Sequence, residues 1–200
     1  MKARLTASKN NLLAKEFAKI FDCDFYSRST GFNVIDSVQR QSYLENTNKY
    51  DISINITNGG DFSATSLLCE LENYCYQTQT HHKVFSIGSY INFALVHAPQ
   101  SKYPVEKAAL RFCHNRIVNS YIYHQGYLDS YLINCNFIKD MSKNIEEHYK
   151  HLSLLSLQDI RKNIQYMLNF PNVKELSLQS KQPGNHRIND GIGPLFPGLF

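Results

Sequence analysis

Long apolar runs are missing from this 200-residue chain. Its purely apolar stretches extend over only a few residues, as in Phe93-Ala94-Leu95-Val96, whereas a membrane-crossing helix needs about 20. Lys2 and Arg4 precede no apolar segment of the kind a secretory leader carries. A soluble, cytoplasmic protein without membrane contact is expected. Clustered positive charge is also missing. The formal net charge of +4 comes from 21 Lys and Arg against 17 Asp and Glu, scattered along the chain, with Arg161-Lys162 the one adjacent basic pair. A nucleic-acid-binding face gathers its basic residues, so no nucleic-acid partner is expected. No C-x-x-C occurs, and the cysteines (Cys23, Cys69, Cys75, Cys113, Cys135) are odd in number. That excludes a disulfide framework or a zinc site and points to free, mostly buried thiols in a reducing compartment. The histidines lack metal-ligand spacing. His81 and His82 are adjacent and would diverge, and His148 and His151 share a helix face with no third ligand evident. Both pairs are read as solvated surface histidines, and no metal is expected.

What is present is an ordinary globular composition, 42 % hydrophobic and 19 % charged, in a length suited to one domain. Strand and helix patterns alternate along it. A short strand over 2–6 leads through a polar turn to a helix whose face carries Leu13, Phe17, Ile20 and Phe21. Strands are expected over 24–27 and 32–35, a helix over 37–44, and a strand over 51–57 with period-two alternation ending at Asn58-Gly59-Gly60. A helix over 66–76, a strand over 83–87, a long helix over 103–123 buried on several faces and a strand over 131–138 follow. Ser156 and Asp159 form a capping box before the stripe Ile160, Ile164, Met167, and 173–178 is the last strand. Such alternation implies an α/β, Rossmann-like, doubly wound parallel sheet with helices on both faces. It occupies 1–178, and a Gly- and Pro-rich arm occupies 179–200.

The chemistry-bearing motif is Tyr103-Pro104-Val105-Glu106-Lys107. Residues four apart share a helix face, and a neighbouring ammonium favours the phenolate of a Tyr whose ordinary pKa is about 10. The pair can therefore donate a proton to a carbonyl. Of 13 tyrosines this one alone has a Lys four residues on, and its helix follows a strand ending Ile87-Gly88-Ser89.

A strand ending in Ser, a loop and then Tyr-x-x-x-Lys opening a helix resembles the active-site arrangement of the short-chain dehydrogenase/reductase family. Lys107-Ala108-Ala109-Leu110, Ser27-Arg28-Ser29-Thr30-Gly31 and the strand over 51–57 continue the resemblance, which covers about 2–178. It implies Tyr103 as general acid, Lys107 as the group that lowers the Tyr pKa and binds the nicotinamide ribose, and Ser89 as a donor to the substrate oxygen. It implies Thr6, Ser8, Asn11, Asn55 and Arg28 at the cofactor. Arg28 favours the 2′-phosphate of NADP, with NAD the alternative, and no acidic residue is evident at that strand end. A small-molecule carbonyl or alcohol substrate and a homodimer or homotetramer built on the Tyr-bearing helix are implied as well.

The chain departs from the family where a glycine-rich turn belongs. Thr6 to Leu13 has Ala7, Asn11 and Leu13 at the three glycine positions. Ala7 is a small change, Asn11 tolerates positive φ better than most residues, and Leu13 either needs extra space between helix and sheet or is core. The segment supplying the family's catalytic Asn is not recognisable, and Asn73 is a poor substitute. Cys135-Asn136 replaces a Pro-Gly turn. Two readings stay open: an NADP(H)-dependent oxidoreductase, or a catalytically degenerate Rossmann-fold binding or scaffold protein that has lost normal dinucleotide binding.

Overall fold

The structure is a computed structural model describing residues 1–56, 61–89, 102–135 and 155–178. In these residues strands and helices alternate in the order β1 (Lys2–Leu5), α1 (Leu12–Phe17), β2 (Asp22–Phe25), α2 (Ser37–Glu45), β3 (Ile52–Asn55), α3 (Ser63–Thr78), β4 (His82–Ser89), α4 (Lys102–Tyr123), β5 (Leu128–Cys135), α5 (Leu157–Asn169) and β6 (Glu175–Leu178). The strands form one sheet in the order β2-β1-β3-β4-β5-β6, every neighbouring pair parallel. From β1 the chain first moves to one side, to β2, and then returns past β1 to β3. That reversal marks the carboxyl ends of β1 and β3 as the place where sheets of this type open a crevice for ligands.

Side-chain alternation sorts the two faces. Ile52, Ile54, Phe85 and Ile133 point to the face covered by α1 and α5, where Phe17, Ile160 and Met167 complete the core. The other face, under α2, α3 and α4, holds Leu68, Leu71, Leu110 and Leu132. It also buries polar strand residues, because the alternation of 51–57 sends Ser53 and Asn55 there. Buried polar groups must be hydrogen-bonded, and these are. Arg4, fully buried in β1, donates from Nε to Ser53 Oγ (2.8 Å) and from a terminal nitrogen to Thr47 Oγ1 (2.7 Å). Its other terminal nitrogen donates to the Tyr43 carbonyl, and the guanidinium lies 3.7 Å from the Tyr43 ring centroid. Ser53 Oγ in turn meets His82 Nε2 at 2.8 Å.

Several expectations are corrected. The strand expected over 32–35 is absent. After β2 the chain makes a tight 3-10 turn, Arg28–Thr30, ended by Gly31 at φ 82°. Phe32 then buries its ring against Tyr26 and Tyr43, which draws the backbone off the sheet and leaves β2 as the edge. His82 is buried, not solvated, because Ser53 and the Arg4 network lie beneath it; His81 is exposed, as divergence required. The long helix α4 is not covered all round by apolar contacts. Phe112 is 72 % exposed and Tyr123 is exposed, while Glu106, Lys107 and His114 are buried. The strand expected over 131–138 begins three residues earlier, at Leu128, and 136–138 lie outside the described residues. So do the arm at 179–200, His148 and His151. The capping box before α5 is present, with Asp159 N donating to Ser156 Oγ at 3.1 Å and Ser156 N to Asp159 Oδ2 at 3.3 Å.

Candidate functional site

The β1–α1 turn lies at the carboxyl end of β1. Thr6 Oγ1 donates to Asn55 Oδ1 (3.2 Å) and accepts from the Ile56 amide (3.2 Å). Asn55 Nδ2 donates to the Ala64 carbonyl (2.9 Å). Two residues expected at the cofactor thus hold each other, and Asn55 also fastens the first turn of α3 to β3. Ser8 shapes the turn: its carbonyl accepts from Asn11 N (2.9 Å) and its hydroxyl from Asn10 N (3.3 Å).

Asn11 makes no use of its tolerance of positive φ. Its φ is −63° and ψ 129°. The positive-φ residues among those described are Phe62, Gln79, Gln125 and Gly31. Asn11 is instead the N-cap of α1, accepting from Ala14 N at 3.1 Å, which is what a short amide side chain does best at a helix start. Leu13 turns into the core and is only 2 % exposed, while Lys9 and Asn10 are exposed. The Leu13 side chain therefore fills the space between helix and sheet.

Because α4 runs back from the carboxyl ends of the strands, its first turn lies at the same end of the sheet as Ser89, the last residue of β4, which is opposite Cys135. Tyr103 is in that first turn, one turn ahead of Lys107; the Tyr103 side chain lies outside the described atoms. Lys107 is only 1 % exposed, with Glu106 buried beside it. A lysine this deep is rare. Burial pushes its pKa down, while the carboxylates of Glu106 and Asp61 push it back up.

Asp61 was not marked by the sequence reading. It precedes α3, and its Oδ1 accepts from Ser63 N (3.0 Å) and Ser63 Oγ (2.6 Å). These bonds hold its carboxyl below the usual carboxylate range, and the charge of Arg28 adds to that. Asp61 therefore feels the charge of Arg28 and is felt by Lys107, the two cations expected to meet a dinucleotide. The available signal was the pair Asp61 and Ser63, cap-forming residues ahead of a helix, hidden by starting that helix at 66. Arg28 itself is exposed in the 3-10 turn after β2.

Below this end of the sheet a latch ties α4 to the strands. Glu175 Oε1 accepts from Arg111 Nε (2.7 Å) and from Asn134 Nδ2 (2.7 Å). Asn134 is fully buried and lies across from Gly88 in register. A Cβ at Gly88 would stand 2.2 Å from Asn134 Oδ1, which explains the glycine next to Ser89. Gly88→Ala is expected to cost about 1–3 kcal/mol of stability through overpacking, read as a lower urea midpoint at unchanged slope. A midpoint equal to the parent's would mean that Asn134 has room to move.

Among the described residues no group of three or more His, Cys, Asp or Glu side chains is placed to hold a metal, and no helix is long and apolar enough to cross a membrane. No family model matches the sequence, and no curated protein matches it. Solved structures do. A short chain dehydrogenase from Burkholderia cenocepacia in complex with NADP superposes with a TM-score of 0.65 at 10 % identity, over 89 % of this chain and 87 % of that one. Yeast methylglyoxal/isovaleraldehyde reductase complexed with NADPH gives 0.62 at 10 % identity, over 90 % and 78 %. A 3-ketoacyl-(acyl-carrier-protein) reductase from Brucella melitensis complexed with NADH gives 0.57 at 10 % identity, over 88 % and 96 %. At this identity the likeness is one of fold: the chain has the Rossmann-like architecture of short-chain dehydrogenases.

Proposed function

We propose that this chain is an NADP(H)-dependent oxidoreductase of the short-chain dehydrogenase/reductase type, acting on a carbonyl or alcohol of a small molecule. The observation that carries the reading is Lys107, an almost fully buried lysine at the strand-end crevice, one helical turn after Tyr103. Lysines are almost never fully buried, so its place points to a task.

The residues of the crevice fit a dinucleotide. Leu13 is withdrawn into the core, and Arg28 is exposed at the end of β2, where a 2′-phosphate would lie. When bound, NADP(H) supplies or accepts the hydride. Tyr103 donates a proton to the substrate oxygen in reduction and takes it back in oxidation. Lys107 stabilises the phenolate and holds the ribose, and Ser89 hydrogen-bonds the substrate oxygen. Thr6, Ser8, Asn11 and Asn55 shape the cofactor wall more than they touch the ligand, since their polar atoms serve the turn, the cap and the β1–β3 link. The exposed Phe112 and Tyr123 on α4 support a homodimer or homotetramer through that helix.

One observation favours the second reading, a Rossmann-shaped binding or scaffold protein. Asn11 already occupies the Ala14 amide at the head of α1, a donor that a phosphate would otherwise use. Calorimetric titration with NADPH and NADH separates the two. The oxidoreductase reading expects micromolar NADPH binding, weakened about tenfold or more by Arg28→Glu through loss of a charge-assisted contact. Binding of neither nucleotide at millimolar concentration would leave the scaffold reading.

A further inference from the structure

Two of the five cysteines, 44 positions apart in sequence, meet between helices. Cys69 on α3 and Cys113 on α4 have their Sγ atoms 2.9 Å apart, and both side chains are half-buried. One turn further along each helix, Glu72 and Arg116 form an ion pair across the same seam. The two contacts are spaced by three residues on both helices. α3 and α4 therefore run in the same direction in matched register, and the ion pair holds the sulfurs opposed. An S–S bond is about 2.0 Å long, so closing one takes roughly 1 Å of movement. Cys75 and Cys135, by contrast, are buried in the cores of opposite faces of the sheet.

We propose that Cys69 and Cys113 are a reversible redox site: they form an intramolecular disulfide by exchange with a low-molecular-weight disulfide such as oxidised glutathione, clamping α3 to α4. One cysteine thiolate attacks a glutathione sulfur, breaks the glutathione S–S bond and releases one glutathione thiolate. The second cysteine thiolate attacks the protein sulfur of that mixed disulfide, forms the Cys69–Cys113 bond and releases the second glutathione. The protein gives up two electrons and two protons, and the oxidised glutathione becomes two reduced glutathiones. Burial, with the neighbouring Cys113 thiol, pushes the Cys69 thiol up to about 12. The thiolate is the attacking species, so exchange accelerates as pH rises above neutrality. The clamp joins α4, which carries Lys107, to α3, whose first turn Asn55 ties to β3. Oxidation thus stiffens the α3–α4 layer that covers this face of the sheet.

The test uses the full-length protein, incubated with oxidised glutathione at mildly alkaline pH, blocked with iodoacetamide and read by intact mass and peptide mapping. The expected result is three alkylated cysteines of five, with the Cys69 and Cys113 peptides joined and released by dithiothreitol. The melting midpoint should rise on the order of 10 °C, from closure of a loop of this length. Cys69→Ser and Cys113→Ser should each remove both the link and the shift, while Cys23→Ser keeps both. Five alkylated cysteines, a stable glutathione adduct at either position, a link involving another cysteine or another chain, or a link that lowers the melting midpoint would each overturn the proposal.

Discussion

Tyr103→Phe is expected to lower kcat for carbonyl reduction by about 10²–10⁴-fold, the range that a positioned proton donor supplies. It should leave the NADPH Kd within about twofold, because the lost interaction is made in the transition state and not with the cofactor. The Tyr103 phenol sets the requirement. At its ordinary pKa of about 10 it neither gives up nor regains a proton readily near neutrality, and a cation on the same helix face corrects that. In the proposed mechanism Lys107 is that cation. Burial holds it at a fixed depth, and the charges of Glu106 and Asp61 oppose its loss of a proton. Lys107→Met is therefore expected to weaken both turnover and NADPH affinity. Asp61→Asn removes one of the anions that keep Lys107 protonated, so the alkaline limb of the rate profile should move to lower pH. Steady-state kinetics with paired calorimetry reads all three variants. A Tyr103→Phe protein within about threefold of the parent would reduce the Tyr–Lys pair to a coincidence of helical spacing.

Acid is expected to destabilise the fold steeply, because two histidines are buried in neutral form. Burial, then the charge of Arg4, pushes His82 down to about 3, with Asp51 opposing. Burial, then Arg111 and Lys174, pushes His114 down to about 4. His82 lies against Ser53 and His114 against Ser130, each ring held at 2.8 Å. In the unfolded chain both take up protons near pH 6.5, while in the native state they do not until the solution is far more acidic. Below pH 6.5 the unfolded state therefore binds more protons, and stability falls as the pH falls. The loss approaches two protons' worth, about 4 kcal/mol between pH 7 and pH 5, a large share of a domain's usual 5–15 kcal/mol. Urea midpoints measured over that interval check the sign. They should fall with acid in the parent and fall less in His114→Asn. Midpoints that stay level from pH 7 to pH 5 would mean that both rings titrate normally.

Local chemistry was legible before the structure, and long-range chemistry was not. The capping box at Ser156 and Asp159 depends on four consecutive residues and is present as read. The alternation of 51–57 correctly placed Ile52 and Ile54 on one face. It could not say that the polar face is also buried, because that depends on Arg4 reaching Ser53 and Thr47 from another strand. For the same reason His82 read as a surface residue. The strand expected over 32–35 failed because Phe32 has a better place against Tyr26 and Tyr43 than beside β2. In the site, the Tyr–Lys spacing was visible, and the burial of Lys107 was not. Asn11 was read for its tolerance of positive φ, yet it acts through its side chain as a cap. Asp61 and the Cys69–Cys113 contact carry no local sequence mark strong enough to single them out.

The central claim is that the crevice between Thr6 and Lys107 holds a nicotinamide dinucleotide. Amide hydrogen exchange with and without saturating NADPH tests it most directly. Bound NADPH should slow exchange in the β1–α1 turn around Ser8 to Ala14 and in the first turns of α4 through Lys107. Exchange at the opposite end of the sheet, around Tyr127 and Leu128, should stay unchanged. Exchange unaltered everywhere at millimolar NADPH, or slowed only at that opposite end, would contradict it.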